Sequence, residues 1–291
     1  MHHLLTGPDQ GGSRHLTTKR LRVSAVSFLL GVASLLATTA PAGAIIDGQP
    51  DTSNAYPNVG RIEYQLPDGS WSPGCSGTLV ATDVVLTAAH CVTLPGEEVI
   101  PAAIVRVNFN PQPNWFPADP ADPLAYGVSS IAVHPAFQDA TPGPASSKIS
   151  LAPGWEDVAL LRLAQAVADI TPSPVAGAGY LDALDLHSQT FTAVGYGLNG
   201  FVAGSIVSGG LALIPEYRSF RTVSALGMDA YPDRWLKISA ATCFIDSGGP
   251  ILYEGTLVAV VSWTNSMRCE GPGLAYRLDS AVAQEFLADN L

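Results

Sequence analysis

The apolar runs of this chain are short, and that limits its fold more than any other feature. From Ile62 onward, runs of three to seven residues recur between turn-forming residues, at 77–80, 84–88, 104–109, 158–163, 191–196, 236–239, 251–253 and 257–263. Such runs, apolar or alternating and bounded by Gly, Pro, Asn, Asp or Ser, are strand signals. The tetrapeptide Tyr253-Glu254-Gly255-Thr256 lies between two of them and reads as a hairpin turn, with Gly255 supplying a backbone angle that other residues resist. Only 279–290 has helical spacing, with Val282, Phe286 and Leu287 on one face and Asp279 or Ser280 as a cap. The expected fold is all-β with a C-terminal helix. Two stretches break the rhythm, 110–127, rich in Pro, Asp and Ala, and 138–156, with Pro142, Pro144 and Pro153; both read as surface loops.

Composition narrows the function. With 47% hydrophobic residues and 13% charged residues, the 291-residue chain can bury a sizeable core and is not a disordered or coiled-coil sequence. A formal net charge of −11 leaves no basic stripe to neutralise phosphates, so nucleic acid is not an expected partner.

The amino-terminal segment 1–44 differs from the rest. Lys19-Arg20-Leu21-Arg22 precedes an apolar run of about 15 residues and then Ala42-Gly43-Ala44, the layout of a signal peptide ending at Ala44. A membrane anchor is the competing reading, and the run is short for a bilayer span. The expected product is a freely secreted monomer of residues 45–291, with no membrane association after removal of the leader. Four cysteines in an exported chain should pair, and three connectivities are open. No CxxC spacing supports zinc. Near-neighbour pairing, Cys75 with Cys91 and Cys243 with Cys269, is the expectation.

Three segments carry the parts of an activated hydroxyl nucleophile: Leu86-Thr87-Ala88-Ala89-His90-Cys91, Asp157-Val158-Ala159-Leu160-Leu161, and Cys243-Phe244-Ile245-Asp246-Ser247-Gly248-Gly249-Pro250. A hydroxyl attacks at neutral pH only if a base takes its proton, and the base works best when a third group fixes its tautomer. Singly, each segment has an ordinary structural explanation. Together, in this order, they point to a His/Asp/Ser triad.

With these motifs the chain resembles the trypsin/chymotrypsin family of serine peptidases over essentially 45–291. Ile45-Ile46-Asp47-Gly48, His134-Pro135, Gly195-Tyr196-Gly197 and Ser262-Trp263 are weaker matches to the same pattern. The resemblance implies two six-stranded antiparallel β-barrels, the first over about 46–170 and the second over about 171–278, followed by the helix at 279–290. It implies a secreted endopeptidase acting on protein or peptide substrates without a cofactor or metal. His90 would be the base, Asp157 its orienter and Ser247 the nucleophile, with the backbone of Ile245 and Ser247 as oxyanion hole. Cys91, tied to Cys75, would fix the base on its loop, and Cys243, tied to Cys269, would brace the substrate pocket. A free amino terminus at Ile45 would pair with Asp246, so removal of the leader alone would generate the active form. Ala241 falls where the pocket base should lie, which argues against cleavage after Lys or Arg. Thr264 replaces the Gly that usually follows Ser262-Trp263, and Gly273 leaves the other wall open, so a small-to-medium apolar side chain is expected there. The backbone of Ser262, Trp263 and Thr264 would pair with substrate as an added strand.

One departure stands out. The family has Gly where this chain has Ile245; a β-branched residue resists the backbone angles natural to Gly, and a lost oxyanion donor costs about 10²–10³ in rate. The alternative is therefore a weakly active or inactive homologue that acts as a binding protein. An α/β-hydrolase esterase is disfavoured, because no Gly-x-Ser-x-Gly elbow is present and the order of Ser and His is reversed.

Overall fold

A computed structural model describes residues 45–94, 98–114, 116–137, 156–198, 216–228, 233–239, 242–264, 269 and 271–291. The proposed leader and the stretch 138–155 lie outside the described residues, as does Ala241.

After a two-residue strand β1 (Gln49–Pro50), strands β2 (Val59–Gln65), β3 (Trp71–Ala81), β4 (Val84–Thr87), β5 (Val105–Asn108), β6 (Ala125–Val133) and β7 (Ala159–Leu163) close into an antiparallel barrel in the order β2-β3-β4-β7-β6-β5. A second barrel comprises β8 (Thr190–Gly195), β9 (Ser219–Met228), β10 (Trp235–Ile238), β11 (Pro250–Tyr253), β12 (Thr256–Thr264) and β13 (Gly273–Arg277). Its order is β9-β10-β13-β12-β11-β8, and β8 pairs back onto β9 through the register Thr190↔Ser224 to Gly195↔Ser219. Closure removes the free sheet edges that an all-β chain must otherwise protect.

The two-residue period of a strand sorts its side chains between two cores. In β7, Ala159, Leu161 and Leu163 face the first barrel interior with Ile62, Leu79, Val85 and Val107, while Leu160 turns outward. In β4, Val85 points in while Val84 and Leu86 point out. The outward set meets Val194, Tyr196, Leu252, Val260 and Tyr276 in a layer shared by both barrels. A register slip of one residue would exchange these faces, and each large apolar side chain left exposed would forfeit roughly 1.5–3 kcal/mol. Phe191, Val223, Leu236, Ile251 and Val258 fill the second interior.

The C-terminal helix α1 (Ala281–Asn290) begins at Ser280, whose hydroxyl accepts the Ala283 N–H at 3.2 Å. Its buried face is Ala283, Phe286 and Leu287, packed on the shared layer; Val282, expected on that face, is 38% exposed. The β11–β12 hairpin turns through Glu254 (φ +48°) and Gly255 (φ +81°), so both central residues are left-handed, which is the two-residue turn whose twist matches the strands.

Three expectations need correction. Gln49 and Pro50 pair with Phe220 and Ser219 of β9, and Ile45 lies in the second barrel interior, so the segment placed at the start of the first barrel belongs to the second. The stretch read as a loop over 110–127 contains the start of β6 at Ala125. Strands β2, β9 and β13 lie largely outside the apolar runs picked out above. Among the described residues no helix is long and apolar enough to cross a membrane.

Candidate active site

His90 sits in a single 3₁₀ turn, Ala89–Cys91, that follows β4, and Asp157 lies just before β7. Because β4 and β7 are antiparallel neighbours, with Thr87 opposite Ala159, the end of one strand meets the start of the other and brings the two side chains together. The Asp157 carboxylate accepts the His90 backbone N–H at 3.0 Å, and its other oxygen lies 2.8 Å from His90 Nδ1. An ionised carboxylate can only accept, so Nδ1 carries the proton and Nε2 is the ring nitrogen that bears the lone pair. Ser262 Oγ also donates to Asp157, at 2.5 Å. Burial pushes the Asp157 carboxyl up; His90 and the Ser262 hydroxyl outweigh it, and the group titrates below its ordinary range.

Ser247 comes from the turn before β11, on the second barrel. Its carbonyl accepts the Ser76 N–H of β3 at 2.8 Å, across the barrel junction. Gly248 has φ +78°, and a Cβ there would overlap Thr87 Oγ1 and the Ser76 carbonyl, so only glycine lets the Ser247 turn seat this closely against β4. The Cys91 sulfur is 3.9 Å from His90 Nε2 and 3.6 Å from the Ser247 carbonyl oxygen, which puts the Ser247 residue beside the imidazole. Ser247 Oγ itself has no hydrogen-bond partner among the described residues; such contacts are often long until substrate closes the site.

The expected disulfides are both present, Cys75–Cys91 and Cys243–Cys269. Cys75, His90 and Cys91 gather possible metal-ligating atoms within 4.8 Å, but both sulfurs are consumed in the disulfide, so the cluster is not a metal site.

The Asp246 carboxylate is buried beneath Gly195 and Gly197, where a Cβ on either glycine would overlap it. It accepts the N–H groups of Gly197 and Cys243, each at 2.8 Å. No cation lies against it among the described residues. Burial pushes its pKa up to about 7, and the two N–H bonds oppose this only in part. The expected partner, Ile45, is followed by Ile46, which packs against Leu198, Cys243 and Cys269. In the uncleaved chain the Ile45 nitrogen is an amide, so the ion pair is not made.

Ile245 has φ +77°, the left-handed conformation that the sequence marked as difficult for a β-branched residue. The Phe244 carbonyl accepts the Leu198 N–H at 3.0 Å. Neither the Ile245 N–H nor the Ser247 N–H has an acceptor among the described residues, so two backbone donors flank Asp246 without a partner there.

The residues expected to face substrate lie at the end of β12. Trp263 and Thr264 pair with Leu274 and Gly273 of β13, whereas the pairing of β12 with β11 ends at Val260, so among the described residues Trp263 and Thr264 have strand partners on one side alone, and Ser262 lies in the irregularity between Val261 and Trp263. Trp263 is 42% exposed. Thr264 Oγ1 is buried without a partner among the described residues. The Thr242 hydroxyl would lie 3.1 Å from a Cβ at Gly273.

Several contributors escaped the sequence reading. Ser76, hidden beside Cys75, contacts both Ser247 and Ile245. Glu156 is buried, and accepts from Arg234 Nε at 2.6 Å and Tyr276 OH at 2.5 Å, tying the Asp157 segment to the second barrel. The sequence points to Ser262 only through its backbone, whereas its hydroxyl donates to Asp157. A Glu beside the Asp of the second motif was the one available signal; Ser76 had none.

The model of the Trypsin family matches residues 45–283. Trypsin CFT-1 of Choristoneura fumiferana is 24% identical over 277 residues, covering 90% of this chain and 98% of its own. Among solved structures, HL collagenase superposes with a TM-score of 0.59 at 20% identity over 84% of this chain and 98% of that one. Human heparin binding protein gives 0.57 at 17% identity over 84% and 96%. The barrels, the cleft residues and the family match agree, and the chain belongs to the trypsin family of serine proteases.

Proposed function

We propose that the chain is a secreted serine endopeptidase in which Ser247 attacks a peptide carbonyl, His90 moves the proton and Asp157 orients His90. The observation that carries this reading is the buried Asp157 carboxylate bonded to His90 beside Ser247, whose own N–H and that of Ile245 have no acceptor among the described residues. His90 Nε2 takes the Ser247 proton as Oγ bonds to the carbonyl carbon, and the two N–H groups receive the oxyanion. His90 then protonates the leaving amine. Water, deprotonated by the same nitrogen, cleaves the acyl ester and restores the hydroxyl.

The one-sided strand end at Trp263 and Thr264 suits an extended substrate added as a further strand. The pocket takes a small-to-medium side chain between Thr264 and Gly273. Thr264 Oγ1 adds one polar contact to an otherwise apolar preference, and Ala241 offers no charge for Lys or Arg. Removal of residues 1–44 creates an amine at Ile45 that pairs with Asp246. The leader motif and two disulfides fit export to an oxidising compartment.

A binding-only homologue would need the hole collapsed, with the Ile245 N–H turned to an internal acceptor. The unpaired N–H favours the enzyme. Cleavage of a diverse peptide library by the exported protein tests the reading: hydrolysis is expected, with loss of at least about 10⁴-fold in Ser247→Ala. Equal rates in both proteins would overturn it.

A further inference from the structure

Ile245 holds a backbone conformation that a β-branched residue adopts only when its surroundings over-determine it. Two peptide planes meet at its Cα, the first held by one hydrogen bond and the second by two, one of which runs from the Asp246 N–H to the Cys243 carbonyl at 3.1 Å. The plane before it is held through the Phe244 carbonyl, which accepts the Leu198 N–H at 3.0 Å. A trans peptide sets its N–H opposite its carbonyl, so this bond aims the Ile245 N–H away from Leu198. The plane after it is held through the Ile245 carbonyl, which accepts the Ser76 hydroxyl at 2.8 Å. The same hydroxyl accepts the Tyr196 N–H at 3.1 Å. Ser76 is fully buried, and a hydroxyl is among the few small groups that both donate and accept. Its N–H bond to the Ser247 carbonyl and the bond from Thr87 Oγ1 to its own carbonyl, at 2.9 Å, fix where that hydroxyl stands.

We propose that Ser76 is a positioning residue for the reaction, its hydroxyl holding Ile245 in the left-handed conformation that leaves the Ile245 N–H free for the oxyanion. The role rests on the endopeptidase reading above. It explains how this chain accommodates a β-branched side chain between Cys243 and Ser247. With glycine at position 245 the same angles carry no steric cost, and the hydroxyl would become dispensable for catalysis.

A double-mutant cycle separates this role from a general contribution of Ser76 to folding. Peptide hydrolysis is measured for the wild type, Ser76→Ala, Ile245→Gly and the double variant, with melting temperatures in parallel. Ser76→Ala is expected to lower kcat about tenfold or more with KM little changed, as for a weakened oxyanion donor. In the Ile245→Gly background the same substitution should change kcat less than about threefold. Should Ser76→Ala fail to fold, restored folding and turnover in the double variant would report the same coupling, and failure there would overturn it. Equal losses in the two backgrounds, or no loss in the wild-type background, would overturn the role of Ser76 while leaving the enzyme intact. No turnover in any of the four chains would overturn the enzyme reading and this role with it.

Discussion

Asp157 keeps its charge where burial alone would remove it, because His90 and Ser262 surround it with donors. The imidazole is thereby locked with Nε2 as its basic face, and the proposed reaction requires that nitrogen unprotonated. Protonation of that nitrogen removes the base, so kcat/KM should fall on acidification, approaching about tenfold per pH unit, and level off at higher pH. A flat profile between about pH 5 and 9 would remove His90 from the reaction. His90, Asp157 and Ser247 were readable because each sits in a short run of unusual residues. Ser76 and Glu156 were not, because a buried serine or glutamate is defined by partners from distant strands, here Ile245 and Tyr196 for one and Arg234 and Tyr276 for the other.

At the scale of elements, the turn of 242–249 carries an unfinished electrostatic arrangement. Asp246 is buried with two N–H donors and no cation among the described residues, and its pKa is about 7 against an ordinary 3.8. A raised carboxyl means that the folded state binds the proton more tightly than the unfolded chain. Its contribution to stability is therefore complete below pH ~3.8 and is lost as pH rises through about 7. At ~1.4 kcal/mol per unit, the gap amounts to at most ~4 kcal/mol. In the Ser247→Ala background, the uncleaved chain should melt at progressively lower temperature from pH 5 to 8, while a chain beginning at Ile45 should not. Parallel curves for the two forms would contradict the proposed pairing of the new amine with Asp246. Strands such as β7 and β12 were legible because their apolar residues run almost uninterrupted. Strand β6, Ala-Tyr-Gly-Val-Ser-Ser-Ile-Ala-Val, is half-exposed along most of its length, and β9 alternates with polar residues on its outer face. Their pairing partners, not their own patterns, make them strands. The two residues of β1 carry no pattern of their own; β9 supplies it.

Over the whole molecule, the site exists only where the barrels meet. The first barrel brings His90, Asp157 and Ser76; the second brings Ser247, Ile245 and Ser262. Bonds cross the junction from Ser76 to Ser247 and Ile245, from Ser262 to Asp157, and from Arg234 and Tyr276 to Glu156. Run lengths alone implied an all-β chain with one helix; the two-barrel arrangement followed from the resemblance carried by three motifs, because closure depends on pairings between residues far apart in sequence. A fluorophosphonate probe followed by peptide mapping tests most directly whether this junction makes a nucleophile. One adduct per chain, on Ser247, absent in Ser247→Ala and strongly slowed in His90→Ala, is the predicted result; an unlabelled Ser247 in the folded, leader-free protein would contradict it.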